Sequence, residues 1–239
     1  MRWRVASVVM LLVGTALEAP AGDLRIGSGS NLDLGSSRLN LACGDLTVFG
    51  DFAVGTVGLI SVGDVSIEST GVLDAESATL EIANDWNNAG TFLAGTSTLR
   101  FVDGCSATGA ILSGDSVFAD IEFLSPTGKS YFFTAGSTQT VTGDLTLQGA
   151  SGSLLNLRST LASVSAFMDA LGANIASYVD VDDIDATGGN SIFVGEESVL
   201  GANTPGWALV PDIPLLPTVG LFVLVLGLLW TGAHQTSRR

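Results

Sequence analysis

Apolar and polar residues alternate in short runs through most of the chain between residues 22 and 211. Each run places one polar residue between two apolar ones, and Gly, Asn, Asp and Ser separate the runs. Alternation with a period of two predicts strands with one buried face, and the separating residues predict turns. The runs lie at 32–34, 39–41, 46–48, 65–67, 80–82, 99–101, 121–123 and 145–147.

A weak repeat with a period near 20 residues accompanies this alternation. The sequence GDLTV at 44–48 is followed by GDVSI at 63–67, by ND at 84–85 and later by GDLTL at 143–147. Short strands at a fixed period predict the stacked coils of a parallel β-solenoid, with about nine coils in this stretch. We therefore predict an all-β fold, a right-handed parallel β-helix. An antiparallel sandwich, which also uses short strands at regular spacing, is the alternative.

One segment breaks the alternation. Leu161, Val164, Met168, Leu171 and Ile175 follow the spacing of a helical stripe. Residues 160–175 are therefore either a short helix lying across the solenoid or further strands and loops, and we favour strands and loops.

The two ends of the chain differ from the middle. Residues 1–21 combine a basic start, an apolar run and the small residues Ala19 and Ala21, which predicts a signal peptide cleaved after Ala21. Residues 215–233 contain no charge and would span about 28 Å as a helix, which predicts a transmembrane helix within a C-terminal segment 212–239. An uncleaved N-terminal anchor and a buried core helix are the respective alternatives.

Composition narrows the function of the middle segment, residues 22–211. The whole chain has a net charge of −15, whereas this segment has 22 acidic and 5 basic residues and a net charge of −17. So acidic a surface is a poor partner for nucleic acid. The single histidine, His234, lies in the C-terminal tail, so the segment lacks the usual base for Ser-His or Cys-His catalysis. Lys129, the one lysine, leaves Ser-Lys chemistry open, but no pattern in the sequence predicts that a serine hydroxyl contacts its amine.

Two sets of residues are candidates for a bound ion or a covalent link. Asp180, Asp182, Asp183 and Asp185 lie where alternation predicts that a strand ends near Asp182, and their oxygens could bind Ca²⁺. A solvated acidic turn is the alternative, and we predict no other cofactor.

Cys43 and Cys105 would most simply form one disulfide in an exported protein. They are predicted to lie about three coils apart, so the bond requires a loop that folds back, and the segment Asp103-Gly104-Cys105-Ser106 is a plausible loop.

Aromatic residues offer a further alternative between binding and packing. They could form a sugar-binding platform or stack inside the core. The residues are Trp86, Phe92, Tyr131, Phe132 and Phe133.

The C-terminal segment resembles the IPTL-CTERM class of bacterial sorting signals. A short motif, an apolar helix and terminal arginines follow one another in that class. Here Leu215, Pro217 and Val219 replace the Thr, Ser and Trp of its pattern, and the matching residues are Ile213, Pro214, Leu216 and Gly220, followed by Arg238 and Arg239. The resemblance implies recognition by an exosortase-type membrane protease and transfer to the cell surface.

The middle segment resembles repeats of bacterial surface β-helix proteins. The similar stretches are 88–101, 134–147, 156–159, 177–183 and 206–207. This resemblance implies a solenoid without indicating an active site.

Together these features predict an exported, surface-sorted β-helix protein with a structural, adhesive or matrix role and no enzymatic activity. The expected partners are the Sec machinery and signal peptidase, the exosortase-type protease, the membrane through the C-terminal helix, and extracellular polysaccharide. A carbohydrate-active enzyme on the same fold and an uncleaved single-pass membrane protein are the alternatives.

Overall fold

The computed structural model describes residues 17–18, 22–105, 107–195 and 197–210. The regular structure within these ranges consists of short strands, and no helix occurs among the described residues. The first thirteen strands are β1 (Leu17–Glu18), β2 (Leu24–Ile26), β3 (Asn31–Asp33), β4 (Arg38–Asn40), β5 (Leu46–Val48), β6 (Asp51–Ala53), β7 (Gly58–Val62), β8 (Val65–Ile67), β9 (Val72–Asp74), β10 (Thr79–Ile82), β11 (Trp86–Asn88), β12 (Thr91–Leu93) and β13 (Thr98–Val102). The others are β14 (Gly109–Ser113), β15 (Ser116–Phe118), β16 (Asp120–Leu124), β17 (Ser130–Phe133), β18 (Thr138–Val141), β19 (Leu145–Gln148), β20 (Leu155–Ser159), β21 (Ala166–Ala170), β22 (Asn174–Ser177), β23 (Val179–Asp182), β24 (Ile184–Asp185), β25 (Ile192–Val194), β26 (Val199–Leu200) and β27 (Trp207–Leu209).

These strands form four parallel sheets that enclose one core. Sheet A contains β1, β4, β7, β10, β13, β16, β19, β22, β25 and β27, and sheet B contains β2, β5, β8, β11, β14, β17, β20, β23 and β26. Sheet C contains β3, β6, β9 and β12, and sheet D contains β15, β18, β21 and β24. In each full turn the chain passes from sheet B through sheet C, or later sheet D, to sheet A.

The parallel solenoid predicted from the sequence is therefore confirmed, and the antiparallel sandwich is wrong, because neighbouring strands of every sheet run parallel. The nine strands of sheet B make about eight turns rather than nine. Turn length varies, since Leu46 pairs with Val65 after 19 residues whereas Tyr131 pairs with Leu157 after 26. The right hand of the helix remains a prediction.

The core consists of columns of apolar side chains, one from each turn. On sheet A the column runs through Leu59, Leu80, Leu99, Ile121 and Leu145, all of which are buried. Full burial of one such side chain stabilises a fold by about 1.5–3 kcal/mol. The alternation read from the sequence thus gives each strand its inward face, and stacking joins these faces into one core.

Residues 160–175 form loop and strand, as favoured above. Strand β21 and the first two residues of β22 lie within the segment, and only Met168 of the apparent helical stripe is buried. The other four members are all exposed, namely Leu161, Val164, Leu171 and Ile175. The 3–4 spacing therefore does not mark a buried helix face here.

The predicted terminal segments fall almost entirely outside the described residues. Leu17 and Glu18 pair with Leu39 and Asn40 of sheet A. Ala19, Ala21 and the predicted sorting segment 212–239 lie outside the described residues, so signal cleavage and sorting stay predictions.

Candidate functional site

The corner between sheets A and B holds a column of aspartates, here called the aspartate ladder. Its members are Asp23, Asp45, Asp64 and Asp85. The backbone N–H of Asp45 donates to Asp23 Oδ1 at 3.1 Å, and that of Asp64 donates to Asp45 Oδ1 at 2.8 Å. The N–H of Asp85 donates to Asp64 Oδ1 at 3.1 Å, and that of Ile111 donates to Asp85 Oδ1 at 2.7 Å. Each carboxylate therefore accepts a backbone hydrogen bond from the next turn of the solenoid.

Glycine before two of the aspartates lets successive turns stack closely. A Cβ on Gly44 would come within 2.2 Å of the Gly22 carbonyl oxygen, and one on Gly63 within 2.5 Å of Asp45 Oδ1. The repeated Gly-Asp of the sequence is thus a stacking device, in which the glycine removes a clash and the aspartate supplies an acceptor.

Removing one member of the ladder is expected to destabilise the solenoid. In Asp64→Ala the Asp85 N–H loses its acceptor, which we expect to lower the free energy of unfolding by about 1–3 kcal/mol. Asp64→Asn retains an acceptor oxygen and should cost less. Urea titration followed by circular dichroism measures both.

Asp33→Ala is the control, because the hydrogen bond that Asp33 accepts from the N–H of Gly35 lies within its own turn. We expect it to change the free energy of unfolding by about 0.5 kcal/mol or less. Equal losses in Asp33→Ala and Asp64→Ala would contradict the inter-turn role of the ladder.

The cysteines lie on this same corner and are joined by a disulfide, with a Cα–Cα distance of 5.4 Å. Cys43 precedes β5 and Cys105 precedes β14, so they belong to corners three turns apart, about 14 Å at the usual strand spacing. Residues 103–105, here called the strap, fold back to close this distance. A Cβ on Gly104 would lie 3.7 Å from the Cβ of Ala83, which places the strap against the preceding turn.

Lys129 lies buried below the same corner, with 2 % of its surface exposed. It directly precedes β17, and its ammonium donates to the carbonyl oxygen of Ala83, two turns back. The Lys129 side chain therefore extends across the intervening turn, which is the turn that carries the strap. The backbone N–H of Lys129 donates a hydrogen bond to Ser125 Oγ at 2.7 Å.

Burial and the neighbouring carboxylates shift the pKa of Lys129 in opposite directions. Burial lowers the pKa of Lys129, while the charges of Asp103, Asp85 and Asp64 raise it. The ammonium also lies 5.4 Å from the ring centroid of Tyr131, within cation–π range. Members of the aspartate ladder therefore stabilise the only buried cation of this corner among the described residues.

The four candidate Ca²⁺ ligands have separate protein partners in the structure. Asp182 ends β23, as predicted, and Asp183 follows with a positive φ of 57°. Among the described residues no group of three or more acidic, histidine or cysteine side chains is placed to hold a metal ion. The partners are Arg158 for Asp180, the Ala202 N–H for Asp182, the Ser163 N–H and the Asn203 amide for Asp183, and Thr187 for Asp185.

The hydrogen bonds of Asp183 lead us to expect that the stability of the protein depends on pH. Hydrogen bonds from the Asn203 side chain and the Ser163 N–H hold the pKa of Asp183 below its ordinary value. Its stabilising contribution is therefore fully present above the unfolded pKa of about 3.9 and is lost as the pH falls through the lower folded pKa.

The Tm difference between the original protein and Asp183→Asn should accordingly be constant above about pH 5 and shrink below pH 4. Thermal unfolding at a series of pH values measures it, and the other carboxylates cancel because both proteins contain them. A Tm difference independent of pH would contradict this role.

The candidate aromatic platform belongs mostly to the core. Trp86, Tyr131 and Phe133 are buried, and Phe92 packs edge-on against Trp86 with ring centroids 5.0 Å apart. Phe132 alone of the five points outward, with 36 % of its surface exposed. Four of the five aromatic residues therefore pack in or against the core, as one of the two alternatives predicted.

Sequence reasoning identified the Gly-Asp repeat but missed two features of this corner. The aspartate ladder is visible in the sequence as aspartates recurring every 19–22 residues at positions 23, 45, 64 and 85. The burial of Lys129 has no such signal, because lysine is normally exposed. Its position depends on Ala83, two turns back, whose carbonyl oxygen accepts the ammonium, and no local pattern reveals this contact.

Comparisons with known proteins leave the function to be argued from this geometry. No family model matches the chain, and no curated protein and no solved structure is significantly similar to it. Within the described part of the chain, no helix is long and apolar enough to cross a bilayer.

Proposed function

We propose that the middle segment is an exported, surface-displayed solenoid with a structural, adhesive or matrix role and no catalytic activity. The observation that carries this proposal is the disulfide between Cys43 and Cys105. Disulfides persist in oxidising compartments and are rare in the cytoplasm. The bond therefore favours a protein that works outside the cytoplasm, in agreement with the predicted signal peptide.

The use of its polar and aromatic groups supports a structural role. Ladder carboxylates such as Asp45 and Asp64 accept backbone hydrogen bonds between turns, and the Lys129 ammonium is held by a backbone carbonyl. Trp86 and Phe118 fill the core, where their centroids lie 5.7 Å apart. These groups stabilise a rigid scaffold, whose outer sheet faces are then available for display.

The C-terminal segment supports sorting at the cell surface. Its motif residues Ile213, Pro214, Leu216 and Gly220 precede the apolar stretch and the terminal arginines, which is the order of an exosortase-type signal. On this proposal the apolar stretch holds the protein in the membrane until the protease acts.

Antibody binding to intact cells that produce the protein tests this location. We expect an antibody raised against residues 22–210 to bind intact and lysed cells about equally. A variant lacking residues 2–21 should be detected only after lysis, and one lacking 212–239 should appear in the medium. Binding to the full-length protein only after lysis would contradict export.

Incubation of the purified protein with a panel of neutral and acidic polysaccharides tests the absence of catalysis. We expect no release of reducing ends or unsaturated sugars. Turnover of any member would replace the structural role with a carbohydrate-active one.

A further inference from the structure

The strap lies over the residue that holds Lys129. Gly104 packs beside Ala83, whose carbonyl oxygen accepts the Lys129 ammonium. Asp103, the first residue of the strap, accepts two hydrogen bonds from Thr127 through Oδ2, at 2.8 and 2.7 Å. The strap is thus tied by the disulfide at one end and by Thr127 at the other.

The closed strap leaves polar atoms buried without partners. Asn84 Oδ1, Asp103 Oδ1 and Tyr131 Oη have no hydrogen-bond partner among the described residues. Burial, assisted by the charge of Asp103, raises the pKa of Tyr131, so this hydroxyl is a neutral group that could still hydrogen-bond to water. Water entering an open corner would satisfy these atoms, so their burial disfavours the closed state.

The backbone at the strap end of the disulfide also disfavours closure. Cys105, the last residue of the strap, has a φ of 48°, which lies in the left-handed region that residues with a side chain rarely adopt. This conformation could relax once the strap was no longer held by the disulfide.

From these observations we propose that the strap is a redox-released cover over Lys129. The disulfide holds it closed against the left-handed backbone of Cys105 and the unpartnered polar atoms. A dithiol reductant gives two electrons and two protons to the Cys43–Cys105 bond, yielding two thiols, and itself becomes a disulfide. The strap then moves away from Ala83, water enters the corner, and the Lys129 amine becomes accessible.

Amine labelling tests the proposal directly, because Lys129 is the only lysine of the chain. One sample of the purified full chain stays oxidised. A second is reduced with a dithiol, alkylated with iodoacetamide and desalted. Both are treated at one pH with an amine-reactive acetyl donor, and peptide mass spectrometry separates Lys129 from the chain N-terminus. We expect reduction to raise the Lys129 acetylation rate about tenfold or more.

Two variants serve as controls. Arg100→Lys adds a reference lysine on the outer face of sheet A, where the Arg100 side chain is 36 % exposed, and reduction should change its labelling less than about twofold. The double variant Cys43→Ser/Cys105→Ser should label at Lys129 as fast as the reduced protein, without any alkyl group on sulfur.

Three results would overturn the proposal. One is rapid acetylation of Lys129 in the oxidised protein. Another is equally slow acetylation of Lys129 after both thiols are shown to be alkylated. The third is loss of the β circular dichroism signal on reduction together with faster labelling of the reference lysine, because the whole solenoid would then have unfolded.

Discussion

Phe133→Ala is expected to lower the free energy of unfolding by about 3–5 kcal/mol. The Phe133 ring is buried in the core and lies 6.0 Å from the ring of Phe123. Its removal would leave a cavity between stacked turns, which the parallel strands on either side cannot close without losing register. Urea unfolding followed by circular dichroism measures the loss.

The neighbouring residue supplies the matched control. Phe132 occupies the same strand, β17, but faces outward, so Phe132→Ala should cost about 1 kcal/mol or less. The difference between the two variants tests which face of the strand is buried. Similar losses in both variants, or a larger loss in Phe132→Ala, would contradict the inward phase of this strand.

Loss of the disulfide has the second large expected effect. In Cys43→Ser/Cys105→Ser the unfolded chain regains the freedom that the link across 62 residues removes, so we expect a loss of about 2–4 kcal/mol. Release of the left-handed conformation at Cys105 offsets part of this loss and favours the lower end of the range. Urea unfolding without reductant measures the effect.

Reduced protein of the original sequence is the control for this variant. It should have the same free energy of unfolding as the double variant, and the double variant should not respond to reductant. A double variant as stable as the oxidised protein would show that the bond contributes no net stability.

The sequence predicted the strands better than the length of the turns. The run at 46–48 forms β5 with Leu46 and Val48 buried. Alternation predicts this well because side chains two residues apart in a strand point to the same face. Turn length varies because the loops between strands differ in length, as in residues 160–165 between β20 and β21, while the paired strands stay in register. Because the loops vary in length, a constant period of about 20 residues predicted nine turns where the structure has about eight.

Tertiary packing also explains two features that no local pattern reveals. The third side of the solenoid changes from sheet C to sheet D where the Trp86, Phe92 and Phe118 rings cluster. The apparent helical stripe of 161–175 fails because parallel pairing of β21 with β18 satisfies its backbone instead.

The candidate site was predictable only in part. Gly-Asp recurs visibly, but the acceptor role of Asp64 depends on register, since its partner is the N–H of the next turn. Cys43 and Cys105 were recognised as partners, with the condition that a loop folds back. Lys129 could not be placed inside by any sequence rule, because its ammonium is held by the carbonyl oxygen of Ala83, two turns back.

Mass spectrometry of the mature protein, isolated from the cell envelope and digested without reduction, tests the exported, disulfide-linked solenoid most directly. We predict a first residue of Gly22, a linked peptide pair containing Cys43 and Cys105, and no peptide ending at Arg239. A cytoplasmic protein that retains Met1 and Arg239, with both cysteines as free thiols, would contradict this account.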